Sequence, residues 1–418
     1  MGPITLFDKS FLQSLTVDES VWFDHYFTPN ICPVFFVETL ADLAKSKLRE
    51  GRTPEHEVAI IAEKTPEVSS YPCAYHGQIC ITDLMGYHVP MNGQIPMPGA
   101  KSVRADGLTG LVFPRSLEAE AMARWQAGEF EEVERISAHR WRAELSALDL
   151  KKTAKTMHAI GIDGKSCRSL EQAANISRAI AQSRNKPFEQ MNLLFHFVQI
   201  GPEYMRPVLE RWQIEGYRPL SEFAPYAAHV FTVELFFQIA LAANLISSDR
   251  PSNRADIAYL FYLPFCEVFT STDRLHEKCA PLFLRDDQDF VWGEDLKAEL
   301  RHTNAHYAST LSQQQHEAGL NTIPHIPVEH DGSVIVRLWN RHSPGWRSRV
   351  NRPEPTMTPE MERMVVERSK AFQNAPAVEL TPEERRRTEF EHTTVERSIH
   401  RRKGRWWQVP KDLPNPDE

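Results

Sequence analysis

The chain has 418 residues, 41% of them hydrophobic and 25% charged, with a formal net charge of -8. That length calls for two or three folding units, and that composition excludes wholesale disorder. The acidic balance argues against a module that tracks phosphates through one broad cationic face, since such modules are basic.

Ile4-Thr5-Leu6-Phe7 is a short apolar run that reads as a buried strand, closed by Asp8. Thr16-Val17-Asp18-Glu19 has the form of a capping box and starts a helix to about Phe27, which Pro29 and Asn30 break. Pro33 suits the first turn of a second helix, on which Val34, Val37, Ala41, Ala44 and Leu48 share one face. From Glu55 to Gly110 the texture changes. Ala59-Ile60-Ile61-Ala62 reads as a strand, and recurring Gly and Pro break the rest into short strands and turns. A helical stretch follows from Ser116 to about Leu150. Ser169 opens another helix, and Pro187 and Pro202 suit the first turns of two more. Residues 56–220 read as an insertion with its own small core.

Tyr226 to Ile246 is strongly apolar but carries His229, Glu234, Gln238 and Asn244. A charge at mid-span costs about 3 kcal/mol on insertion scales, so a buried core helix is expected, not a membrane span. Asp256 opens the next helix, which Pro264 stops, and Cys266 to Thr270 reads as a strand. Asp273 follows, then a short helix through His276 and Cys279. Beyond Asn321 the periodicity fades among prolines, with helices expected over Glu360 to Phe372 and Glu383 to Arg397. The chain divides on this reading into 1–55, 56–220, 221–300 and 301–418.

Six scattered cysteines show no paired framework and read as reduced thiols of a cytoplasmic protein. The first residues have no basic region followed by an apolar stretch, so a secretory leader is not expected.

Four acids stand at the ends of these elements: Asp8, Glu38, Asp256 and Asp273. In an open parallel sheet, ligands collect at the carboxyl ends of the strands, where acids converge without being close in sequence. A set of carboxylates favours hard cations, Mg²⁺ or Mn²⁺, which can hold a phosphodiester and activate water. Against this, an Asp that opens a helix is most often just its N-cap, and Glu38 suits an exposed helix position.

Phe7-Asp8-Lys9-Ser10-Phe11-Leu12 resembles the opening motif of PIN-domain nucleases, an apolar strand ending in Asp with a small hydroxyl residue two positions on. Val37-Glu38-Thr39-Leu40 and Asp256-Ile257-Ala258 resemble the second and third acidic positions of that family, and Phe269-Thr270-Ser271-Thr272-Asp273 its closing motif. The resemblance covers roughly the first 55 residues and those from about 225 to 285, with Lys9 where a Thr is common. It implies an α/β fold, a PIN-like parallel sheet sandwiched by helices, here with a large inserted mixed α/β domain and an irregular C-terminal tail. It further implies a metal-dependent endonuclease acting on phosphodiesters, RNA favoured over DNA. Asp8, Glu38, Asp256 and Asp273 would then be the catalytic metal ligands, with Ser10 and Ser271 supporting them. The alternative is an inactive PIN-like scaffold that binds a partner protein, a second copy of the chain or a nucleic acid.

Cys73, His76, Cys80 and His88 are close in sequence, but their spacing matches no zinc pattern. Glu234 reads as a buried acid paired with a base, and His276 as a helix-face residue within reach of a bound phosphate. Arg401, Arg402, Lys403, Arg405 and Trp406, together with Arg385-Arg386-Arg387, suit either a grip on nucleic acid or, for the tryptophans, a tail packed onto the body.

Overall fold

A five-stranded, all-parallel sheet organises the computed structural model, which describes residues 2–46, 51–159, 165–350, 358–381, 384 and 387–413. Leu48, Glu383, Arg385 and Arg386 lie outside the described residues. The strands are β1 (Ile4–Phe7), β2 (Thr28–Ile31), β3 (Tyr71–Pro72), β4 (Val268–Ser271) and β5 (Asp289–Trp292). Their order is β3-β2-β1-β4-β5. Leu6 pairs with Asn30 on one side and Phe269 on the other, so β1 is central. β1 and β4 show no alternation of buried and exposed residues because helices cover both faces of the sheet, and β4 is buried throughout.

Capping sets the early helices. Thr16 and Glu19 form the expected box on helix Val17–Tyr26, and Pro33 occupies the first position of helix Pro33–Leu40. That helix tightens into a 3₁₀ turn at Ala41–Ala44, shorter than the apolar face drawn through Leu48. Ala59-Ile60-Ile61-Ala62, expected as a strand, belongs to helix Pro54–Lys64. Thr53 caps that helix and Pro54 fits its first turn, while Val58, Ile61 and Ala62 recur at helical spacing on its buried side. The stretch from Ser116 breaks at Gly128, which adopts φ +76°, into helices Leu117–Gln126 and Glu132–Ser146.

The region 56–220 lacks the separate core expected of it. One apolar cluster runs without interruption from Leu6 and Phe7 through Trp125, Leu194 and Trp212. Strand β3, from within that region, forms one edge of the central sheet. Helix Pro225–Ala242 explains the continuity. It is long and apolar enough to cross a membrane, but 78% of it is buried inside the protein. Helices Leu150–Ala159, Leu170–Gln182, Pro187–Val198 and His76–Leu84 pack around it. Such a helix is apolar all round because it has neighbours all round.

The tail is also more ordered than its prolines suggest. Val334–His342 is a helix capped by Ser333 that buries Ile335, Leu338 and Trp339. His392–Val395, expected within a helix, is a strand parallel to Leu108–Phe113. With helix Pro359–Asn374 it closes a small second core of Val103, Val112 and Phe372.

Candidate active site

The sheet changes winding direction at the β1–β4 boundary, since β2 and β3 continue to one side of β1 and β4 and β5 to the other. A crevice opens at the carboxyl ends of the strands at such a point. Asp8 directly follows β1, and Asp273 follows β4 by two residues. Glu38 lies on the helix that follows β2. Asp256 comes from helix Asn253–Ala258, which Ser252 precedes, so Asp256 sits inside the helix and does not open it as expected.

Asp8 is buried and doubly committed. Its Oδ1 accepts the Phe11 N–H at 2.9 Å, and its Oδ2 accepts the Ser10 hydroxyl at 2.6 Å. Ser10 also meets Thr272 at 2.7 Å, which ties the loop after β1 to the loop after β4. Ser271 Oγ accepts the Asp273 N–H at 2.9 Å and lies 2.8 Å from His276 Nδ1. Asp273 Oδ1 in turn caps its own helix through the Leu275 N–H at 2.6 Å. The two serines therefore hold the acidic loops by hydrogen bonds. Gly293 abuts the same corner: a Cβ there would stand 2.6 Å from Thr272 Cγ2.

His276 is only 1% exposed, and its Nδ1 stands 3.5 Å from Asp8 Oδ2. Its Nε2 donates to the Asp256 backbone carbonyl at 2.7 Å. Burial opposes a charged ring, but Asp8 and Asp256 outweigh it and push His276 up to about 9. Burial likewise pushes the Asp8 carboxyl up, yet His276, Ser10 and the Phe11 N–H together hold it below its ordinary value. The sequence placed His276 on a helix face three residues after Asp273; the structure turns it inward as the cation of the site.

Glu38 Oε2 accepts the hydroxyl of Tyr259, itself buried, at 2.6 Å. Lys9 Nζ donates to the Glu38 backbone carbonyl and to Asp42 Oδ2, both at 3.0 Å. Burial, with the Asp8 charge, raises the Glu38 carboxyl, and Lys9, Tyr259 and His276 oppose the rise. The sequence motifs single out neither Lys9 nor Tyr259 as a site residue. The available signals were the cation inside the first motif and a Tyr three positions, about one helical turn, after Asp256.

Asp256 differs from the other three. Its carboxylate accepts no hydrogen bond among the described residues. Burial, and then the charges of Glu38, Asp273 and Asp8, push it up to about 7 against the opposing pull of His276. Asp256 thus feels the other three acids, and Glu38 feels Asp8. The four do not close on one another: the described residues contain no group of three or more His, Cys, Asp or Glu side chains arranged to hold a metal ion. The donor chemistry is nevertheless that of a hard cation, and Asp256 has a carboxylate left over for one.

The other candidates resolve into structural roles. Glu234 is buried and ion-paired with Arg254. Cys73 and Cys80 are buried thiols held well above their ordinary range by burial, and His76 bonds Tyr262. Lys403 is buried and donates to the Thr65 carbonyl, and Trp406, 1% exposed, packs edge-on to Trp22 and stacks on His316. Arg405 pairs with Asp18, Arg401 donates to the carbonyls of Pro410, Lys411 and Leu413, and Arg402 lies over Trp407. Lys403 and Trp406 thus pack onto the body, while Arg402 and Arg405 stay exposed.

Neither a profile of a known protein family, nor a curated protein, nor a solved structure matches this chain.

Proposed function

We propose that the chain is a PIN-like endonuclease that hydrolyses phosphodiester bonds with Mg²⁺ or Mn²⁺, RNA in preference to DNA. The observation that carries this reading is that Asp8, Glu38 and Asp273, from three separate segments beside a parallel sheet, all act on the charge of Asp256 from a fourth. The parallel sheet between helices agrees with the fold that the motif resemblance implies, while the RNA preference rests on the resemblance alone.

These four acids would hold the cation, which supplies charge neutralisation at the phosphate and a more acidic water. The protein's own groups divide the remaining work. Asp8 stays ionised because His276 faces it. Asp256, pushed up to about 7 by burial and its acidic neighbours, sheds its proton readily when positive charge approaches and would then join the other three acids as a ligand. His276 fixes the backbone of Asp256 through the carbonyl bond, and Tyr259 fixes the carboxylate of Glu38.

The test is cleavage of labelled single- and double-stranded RNA and DNA by the parent, Asp8→Ala and Asp273→Ala, with Mn²⁺, Mg²⁺ or a chelator. Metal-dependent cutting that falls at least about 100-fold in both variants is the expected result, the scale at which removal of one well-placed electrostatic group acts. Variants that cut as fast as the parent overturn the assignment.

One observation favours a second reading, an inactive PIN-like scaffold for a partner protein or nucleic acid: the acids as placed form no ready-made metal group among the described residues. Calorimetric titration with Mn²⁺ separates the two. Heat that disappears in the acid variants supports the enzyme, and no heat from well-folded parent protein supports the scaffold.

A further inference from the structure

The two helices that carry Glu38 and Asp256 to the acidic crevice also form one wall of a separate cavity of about 320 Å³. Val37 and Ala255, the immediate neighbours of those acids, line it. Tyr75, Trp141 and Leu145, from the region between the two halves of the sheet, form the facing wall. Glu38, Asp256 and one wall of the cavity are therefore carried by the same two helices.

The cavity presents the rings of Tyr75, which packs against His76 at 4.3 Å, and of Trp141. Tyr75 is 51% exposed, and its hydroxyl makes no hydrogen bond among the described residues. Trp141 is half-buried and has no ring or hydrogen-bond partner among them. The charged groups at the cavity are already neutralised. Arg254 pairs with Glu234 and lies over Phe237 and Phe261, and Glu144 pairs with Arg140. Burial drives the His76 imidazole down to about 3, so it is neutral at physiological pH. Such a lining rejects a phosphate and accepts an uncharged planar ring. The volume lies at the small end of ligand cavities, which run from about 300 to 1,000 Å³ and so suits one ring system and not an extended ligand.

We infer that this cavity receives one nucleobase of a single-stranded substrate, stacked on Tyr75 or Trp141, while the adjoining phosphate lies at the acids. The substrate class rests on the nuclease reading; the fit of a flat, neutral ring beside the acids rests on the cavity itself. Base–aromatic stacking tolerates any base because every base has a π-face, so the site selects unpaired nucleotides over duplex and not one sequence.

Two measurements on the full chain test this separately from catalysis. In saturation-transfer NMR with a chelator present, nucleosides, which carry no phosphate, are expected to receive magnetisation from the parent, and ribose alone is not. Trp141→Ala should remove the effect, as should Leu148→Trp, which fills the cavity from a position already 41% exposed. Asp8→Ala should keep it. In cleavage assays Trp141→Ala should raise KM for single-stranded substrate about five- to 140-fold, the affinity equivalent of one stacked base. Nucleoside signals that persist in both cavity variants, or that never exceed those of ribose, overturn the base site even where cutting is intact. Nucleoside binding by a chain that cuts nothing overturns the nuclease reading and leaves the base site standing. Displacement of the nucleoside by a Trp-containing peptide at lower concentration than by any oligonucleotide would assign the cavity to a protein partner instead.

Discussion

His276 Nδ1 and Asp8 Oδ2 stand 3.5 Å apart, both buried, so the strand-end acid of β1 is balanced by a cation from the helix after β4. The pair's pH window follows from the two shifts. His276 is raised from 6.5 to about 9, so its contribution is complete below pH 6.5 and is lost as pH rises through about 9. Asp8 is lowered from 3.8, so its contribution is present above pH 3.8 and is lost as pH falls through its folded value. His276→Gln should therefore cost about 3–5 kcal/mol near pH 6, as removal of one partner of a buried pair does, and distinctly less at pH 10. Denaturant unfolding at both pH values checks this. An equal loss at each would mean that His276 fills space and does not pair.

Asp256 carries the opposite sign. Its folded value of about 7 exceeds the ordinary 3.8, so the folded chain binds the extra proton between those values and stability falls as pH rises through that window. The penalty at pH 8 is at most roughly 4 kcal/mol. Asp256→Asn removes the titration: its Tm should exceed that of the parent at pH 8, by on the order of 2 °C or more, and match it at pH 4. Mn²⁺ relieves the same repulsion if it binds. It should raise the Tm of the parent at pH 8, with about 2.7 kcal/mol of stabilisation at 100 times its Kd, and raise that of Asp256→Asn much less. Equal metal stabilisation of the two proteins would place Mn²⁺ elsewhere.

The positions of Asp8 and Asp273 are legible in the residues, because both acids mark ends of elements. Asp8 closes an apolar run and Asp273 follows another, and both cap helices as such residues do. The groups that tune those acids were less visible. His276 and Tyr259 act through burial, and burial on a six-residue helix or a 3₁₀ segment leaves no periodic pattern to read. The fold followed the same division. Capping boxes and first-turn prolines located helices well, as at Thr16 and Pro33. Pairings across long stretches were not local signals: β3 pairs with β2 across some forty residues, and His392–Val395 pairs with Leu108–Phe113 from opposite halves of the chain. The separate core expected for 56–220 failed for a related reason, since an apolar stretch does not say which neighbours it buries against, and helix Pro225–Ala242 takes them from both regions.

Trp406 is packed onto the body, while Arg402 and Arg405 of the same C-terminal cluster are exposed. Its ring is 1% exposed, stacks on His316 at 4.4 Å and meets Trp22 edge-on at 4.8 Å, and its Nε1 donates to Asn304 at 2.9 Å. Asn304 Oδ1 also accepts from Trp22 Nε1 at 3.2 Å, so one amide joins both indoles to helix Gly293–Thr310. That helix packs on β4 and abuts Thr272 through Gly293, so tail, helix and acidic loop form one mechanical path. Trp406→Ala should cost about 3–5 kcal/mol, the range for a buried aromatic truncated in a core, and should lower the denaturant midpoint. Where enough folded variant remains, its affinity for single-stranded RNA should keep the parent's slope against salt concentration, because no phosphate contact has been removed. A variant with parental stability and a flattened salt slope would instead return this segment to the nucleic-acid interface.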